Sequence, residues 1–313
     1  SDAERIDLSQ GGGGGCLICA LLLSFGGSAA TLYVDNGMLG YDGHDGTSPA
    51  LALRRIQEAI DKAADGDTIL VAPGIYGEDQ GLGRTGSAVA ASGGHWWGSA
   101  RILVANKSLH IKSTDGAEVT HIVGAHDSSS TFGLGDHAVR CIDVENSNSD
   151  KENVFEGFTL RNGATRENTN PSGRGGALHV SSAGNTPVED KTFLVDCVVS
   201  NCVGAVEALA LGGTFIRCRV QDNALLASDM SNPNSASNRR LSTGTAYFNT
   251  LFGRNRTVDA ATAKPAVSGS ILLSPGGRFV NCTFACNLGR FYSLSYNDFR
   301  NTLVSGTQFD TYG

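Results

Sequence analysis

From residue 155 onward the chain repeats one hydrophobic pattern. Segments 155–163, 194–202, 215–223, 247–255 and 279–287 align without gaps, and 299–307 follows more weakly. The first position reads Phe155, Leu194, Phe215, Tyr247, Phe279 and Phe299. Three residues on come Phe158, Cys197, Cys218, Thr250, Cys282 and Thr302, and two further on come Leu160, Val199, Val220, Phe252, Phe284 and Val304. Asn or Asp closes most copies. Alternate residues of a strand face the same side, so the latter two positions share one face. Stacking successive copies about 4.8 Å apart sets like residues on like residues and builds a continuous core. Each coil is then buried only by its neighbours.

The copies are offset by 39, 21, 32, 32 and 20 residues. A minimal coil with insertions on one side accounts for that spread, and places loops at 168–176, 224–241 and 256–265. Strands without the full motif are expected at 101–104, 108–112, 121–123 and 138–144. The pattern predicts an all-β chain, a parallel β-helix of stacked coils. The turn Asn of most copies suits left-handed backbone geometry and bonding to the next rung.

The first part of the chain carries a different pattern. Residues 32–34 form a short strand, a polar Gly-rich loop follows, and Ser48-Pro49 offers an N-cap with proline at the first helical position. Ile56, Ala59, Ile60 and Ala63 recur at helical spacing, with Arg54, Arg55, Glu58, Asp61 and Lys62 opposite. This predicts a helix over 49–64, ended by Asp65-Gly66-Asp67, then a buried strand at 68–72 ending at Pro73-Gly74.

That order of strand, loop, amphipathic helix, GDT, apolar strand and APGxY closely resembles the N-terminal cap of secreted right-handed, pectate-lyase-like β-helix proteins. The resemblance covers 31–78. It implies a right-handed solenoid whose open first coil is covered by the helix, with 31–313 as a single domain and the coils occupying 101–313. A second resemblance rests on Phe252-Gly-Arg-Asn255 and Phe284-Ala-Cys-Asn287 (FxxN) and on Gly175-Gly176-Ala177-Leu178 (GGAL). These tetrapeptides are similar to the repeats of polymorphic outer-membrane proteins and autotransporter passengers, which are surface-exposed β-helices.

Composition agrees with many tight turns between short strands: 41 glycines, two methionines and 18% charged residues. The apolar share of 40% excludes a disordered chain. A net charge of −7 and the absence of Lys/Arg runs argue against nucleic acid as a partner. A local basic groove stays open, since Arg161, Arg166, Arg174, Arg217 and Arg219 lie mid-chain. At the N-terminus, the apolar run 16–25 is too short to span a bilayer as a helix. With Gly26-Gly27-Ser28-Ala29-Ala30 after it, it reads as a signal-peptide-like segment over 1–30. The expected location is secreted or cell-surface, with no spanning helix in the mature chain.

Candidate chemistry is dispersed. A uronate lyase needs a base beside the abstracted proton and a cation, often Ca²⁺, on the uronate carboxyl. Arg140, Arg161, Arg217 and Arg219 are the candidates for that work, set against the plain reading of solvated strand residues. Asp35, Asp42 and Asp45 gather in one Gly-rich loop and form a candidate Ca²⁺ site, although Asp-Gly pairs also build ordinary turns. Trp96 and Trp97 are adjacent aromatics that would stack on sugar rings, or fold back to plug the solenoid. Cys197, Cys218 and Cys282 share one ladder position, which favours buried free thiols over disulfides. No GxSxG, P-loop, Rossmann fingerprint or HExxH occurs, which argues against nucleotide-dependent chemistry.

Two functions remain. The first is a non-catalytic surface or secreted solenoid for adhesion, display or contact with a polysaccharide or cell-surface glycan. The alternative is a polysaccharide lyase acting on a uronate-containing glycan. A groove joining a Lys or Arg with carboxylates from adjacent coils would favour the lyase.

Overall fold

A computed structural model describes residues 29–313 apart from 38, 84–97, 147–149, 167–173, 183–190, 205–206, 227–239, 244–245, 259–269, 274–276, 288–289, 294–297, 307 and 312–313. The described strands pair in parallel along three long faces. Sheet 1 runs from Thr31–Val34 through Thr68–Val71, Leu109–Ser113, Asn153–Glu156, Thr192–Val195, Thr214–Ile216, Ala246–Phe248 and Arg278–Val280 to Asp298–Arg300. Sheet 2 runs from Gly74–Tyr76 to Leu303–Ser305, and sheet 3 from Ser99–Ala105 through Val139–Asn146 and Leu178–Ser182 to Gln308–Thr311. The chain is a parallel β-helix, as the repeats predict.

The repeat explains itself at the corner between sheets 1 and 2. Its third residue is left-handed in each copy: Gly157, Asp196, Arg217, Asn249, Asn281 and Asn301 all have φ between 48° and 74°. That single residue turns the strand, so the next one (Phe158, Cys197, Cys218, Thr250 or Cys282) points inward instead of out. A second left-handed residue follows sheet 2, at Asn162, Asn201, Asp222, Arg254, Cys286 and Gly306. The residue after it turns inward again. There Asn223, Asn255 and Asn287 are buried and bonded coil to coil: Asn255 Nδ2 donates to Asn287 Oδ1 (3.0 Å) and to the Val220 carbonyl (2.9 Å). Rung-to-rung bonds thus come from both positions: the left-handed Asn201 donates to Asn162 on the coil before it (2.8 Å), and the buried Asn ladder lies one residue further on.

Inside, like stacks on like. Phe155, Leu194, Phe215, Tyr247, Phe279 and Phe299 align in register along sheet 1. Tyr247 and Phe279 lie 5.1 Å apart and nearly parallel, and Phe252 and Phe284 stack at 4.5 Å along sheet 2. The six described cysteines are free thiols, five buried and Cys286 exposed. Burial pushes the Cys202 and Cys218 thiols well up and Cys282 to about 11.

The cap differs from its expectation in one respect. The helix expected over 49–64 divides into a 3-10 turn, Pro49–Leu51, and a helix, Ile56–Lys62, and Ser48 precedes only the turn. Between them Leu53 is extended, buried, and donates its N–H to the Tyr33 carbonyl (2.8 Å). Edge pairing with the first strand wins over helix there, because it satisfies backbone groups that the open end leaves bare. The helix buries Ile56, Ala59 and Ile60 against the first coils, and Lys107 Nζ closes its C-terminus on the carbonyls of Ile60, Asp61 and Ala63. Two expected loops also carry short strands, at Ala224–Leu226, Arg240–Thr243 and Arg256–Val258. No helix among the described residues is long and apolar enough to cross a membrane. The signal-like segment falls almost wholly outside the described residues.

Candidate functional site

The outer face of sheet 1 carries two columns of side chains, in register from rung to rung. One reads His110, Val154, Phe193, Thr214, Ala246, Arg278 and Asp298; the other reads Lys112, Glu156, Val195, Ile216, Phe248, Val280 and Arg300. Its middle is uncharged, and Phe193, Val195, Ile216, Phe248 and Val280 are all half-buried there. These positions alternate with the core aromatics, so the pleat itself aims them outward.

Charge brackets this strip at both ends. At the N-terminal end Glu156 accepts from Lys112 Nζ (2.9 Å) and contacts His110 Nε2 (2.9 Å). Burial alone would raise the Glu156 pKa, but the contacts with Lys112 and His110 outweigh it and hold the carboxyl below its ordinary value. At the other end Asp298 lies between two guanidiniums, with Arg300 Nε at 3.0 Å and Arg278 Nε at 3.8 Å. The Arg278 guanidinium sits over the Phe248 ring, 5.8 Å from its centroid.

Sheet 3 presents a different constellation. Asp143 and His179 lie in register on neighbouring strands and alternate with the core residues Ile142, Val144 and Leu178. His179 Nδ1 is 2.8 Å from Asp143 Oδ1, and both side chains are buried. Arg140 is buried on the same strand as Asp143, and its Nε donates to the Arg174 carbonyl (2.9 Å). Gly98 lies against it so closely that a β-carbon there would come within 2.9 Å of Nη1. A carboxylate that fixes one imidazole nitrogen is an arrangement able to support proton transfer at the other. Sequence reasoning missed this pair. Its members stand 36 residues apart, and no motif marks either.

The four candidate lyase arginines are not brought together. Arg140 is buried beside sheet 3, and Arg161 is half-buried on the outer side of sheet 2. Arg217 is a left-handed corner residue, bound bidentately by Asp196 on the coil before it (2.7 and 2.6 Å). Its place in the unit is a turn, so its charge closes a coil-to-coil bridge. Arg219 lies on sheet 2 and contacts Glu118.

The loop carboxylates are separately engaged. Asp35 accepts from the Gly37 N–H (2.7 Å), Asp45 from the Thr47 N–H and hydroxyl (2.9 and 2.7 Å), and Asp42 pairs with Arg55 (3.1 Å). The two bonds from Thr47, its N–H first, hold the Asp45 carboxyl below its ordinary value. No group of three His, Cys, Asp or Glu residues able to hold a metal ion forms among the described residues. Trp96 and Trp97 lie outside the described residues.

No family model and no curated protein matches the chain. Solved structures do. A rhamnogalacturonan lyase superposes with a TM-score of 0.50 at 11% identity, covering 90% of this chain and 75% of that one. The pectin methylesterase PemA from Erwinia chrysanthemi gives a TM-score of 0.42 at 14% identity, covering 91% and 89%. The likeness is one of fold. At 11% identity it carries no residue of that lyase onto this chain.

Proposed function

We propose that this solenoid contacts glycans without transforming them, as a secreted or surface-displayed protein. The observation behind this reading is the uncharged outer strip of sheet 1. Its aliphatic and aromatic side chains recur about every 4.8 Å along the solenoid, and such a surface suits the apolar faces of a sugar chain lying along the axis. The fold likeness to a protein named rhamnogalacturonan lyase supports a glycan as the ligand class, and the FxxN and GGAL repeats support display at a surface. The dispersal of Arg140, Arg161, Arg217 and Arg219 weighs against the elimination chemistry they would have served.

A second reading, a uronate lyase, draws on the Asp143–His179 pair. There His179 would abstract the proton and Asp143 would orient it. One experiment separates the two. Pectic polymers are titrated against the purified protein in affinity gels, with and without Ca²⁺, while unsaturated uronate is followed by ultraviolet absorbance. Retardation without absorbance is expected, and Phe193→Ala with Phe248→Ala should weaken retardation at least fivefold. Absorbance that disappears in His179→Ala would replace the binding reading with the lyase.

A further inference from the structure

Arg278 and Arg300 differ from Arg217 and Arg254, whose guanidiniums are bound at two nitrogens. Arg217 and Arg254 each present Nε and Nη2 to both oxygens of one aspartate, Asp196 and Asp222. Those forks are closed. Arg300 reaches Asp298 through Nε alone, and the Arg278 side chain makes no hydrogen bond among the described residues; it approaches the same carboxylate at 3.8 Å and lies over the Phe248 ring. Two guanidiniums share one carboxylate, which leaves a local excess of one positive charge in a chain whose net charge is −7. Neither side chain donates through Nη1 or Nη2 within the described residues, and the two are 43% and 59% exposed.

Their position matters as much as their charge. Arg278 follows Ala246 in one column and Arg300 follows Val280 in the other, so the pair closes the C-terminal end of the uncharged strip. A guanidinium fork takes a carboxylate through two parallel N–H bonds, more strongly than a neutral pair. A ligand lying on Val195, Ile216, Phe248 and Val280 would thus meet an open anion clamp where the apolar surface ends.

We propose that Arg278 and Arg300 form a carboxylate subsite, and that the glycan held along sheet 1 is a uronate-bearing oligosaccharide. This rests on the glycan-contact reading above. Asp298 is part of the device: it holds both side chains near the strip and competes with the ligand for them. Uronate binding would displace Asp298 from Arg300 and leave the Phe248 platform beneath the sugar.

The test is calorimetric titration of the full chain with hexagalacturonate and with neutral galactohexaose. The acidic sugar should bind at least tenfold more tightly, with affinity falling as salt rises. Joint Arg278→Gln and Arg300→Gln substitution should erase that preference, while Arg254→Gln, in its closed pair, should leave it intact. Asp298→Asn should tighten hexagalacturonate binding severalfold, a gain that a misfolded protein does not give. If neither sugar binds, the glycan reading itself falls. If both bind equally, that reading stands and the carboxylate subsite is overturned. A preference for the acidic sugar that survives the double substitution would also overturn it, as would a wild-type dimer dissociated by Phe248→Ala.

Discussion

The corner between sheets 1 and 2 and the face of sheet 3 belong to the same coils, yet they obey different rules. From Asn153–Glu156 onward, two residues join each described sheet 1 strand to its sheet 2 partner: one left-handed, one turned inward. Nothing in that corner is free to vary, because each coil must match the coil beneath it. Sheet 3 is entered through connections of very different length, as between Val198–Ser200 and Glu207–Leu211 or between Thr159–Arg161 and Leu178–Ser182. Its partnered polar residues are particular to a rung: Arg140, Asp143 and His179 have no counterparts in a ladder. Uniform stacking enforces repetition, and irregular connections release a face to carry individual side chains.

The sharpest way to break this comparison is at the core of the regular corner. Phe252 is fully buried between Phe284 at 4.5 Å and Tyr247 at 4.8 Å. Replacing it with Ala should cost about 3–5 kcal/mol in chemical denaturation, since the rigid rungs above and below cannot close the cavity. Phe248→Ala, four residues earlier and facing outward, should cost under about 1 kcal/mol. Equal losses at the two positions would mean that inward and outward columns are not distinct, and the ladder argument would fail.

That inward ladder was legible in the sequence because it repeats. The aligned Phe, Cys, Val and Asn positions locate sheets 1 and 2 and the turn between them, and the amphipathic spacing of Ile56, Ala59 and Ile60 locates the cap helix. Sheet 3 was only partly legible. Strands such as Glu207–Leu211 and Ser270–Leu273 stand at unequal distances from the motif, so no fixed offset finds them. The candidate sites fared differently again. Arg217 was singled out as a mid-chain arginine, and nothing around it in the sequence marks the left-handed corner where Asp196 binds it. Arg278 and Arg300 went unnoticed because their meaning depends on the partner that Asp298 cannot fully supply, which is a fact of geometry and not of spacing.

A smaller effect is expected on sheet 3. His179→Ala removes one member of a buried hydrogen-bonded pair and leaves Asp143 to lose a partner at 2.8 Å. The cost should be about 1–3 kcal/mol, read by thermal denaturation. Hexagalacturonate affinity should stay unchanged, because the pair lies on another face from Arg278 and Arg300. Loss of affinity with little loss of stability would move the ligand site to sheet 3 and erase the functional contrast between the faces.

The least expected effect lies at the exposed turn after sheet 2, and its sign is informative. Arg254 has φ of 53°, a conformation that penalises a side chain, and it is bound by Asp222 at 2.8 and 2.6 Å. The two side chains are 60% and 42% exposed, so solvent and salt screen their ion pair and its contribution is small. Arg254→Ala gives up the pair and keeps the strained backbone, and should destabilise slightly. Arg254→Gly gives up the same pair but relieves a left-handed penalty of about 1–2 kcal/mol, so it should be neutral or slightly stabilising despite the added freedom of the unfolded chain. A double-mutant cycle with Asp222→Ala isolates the pair, and its coupling should shrink with salt. If Arg254→Gly instead costs more than Arg254→Ala, the ion pair and stem of Arg254 outweigh the backbone strain. Turn chemistry would then have to be counted, with the ladders, among the forces that keep the coils in register.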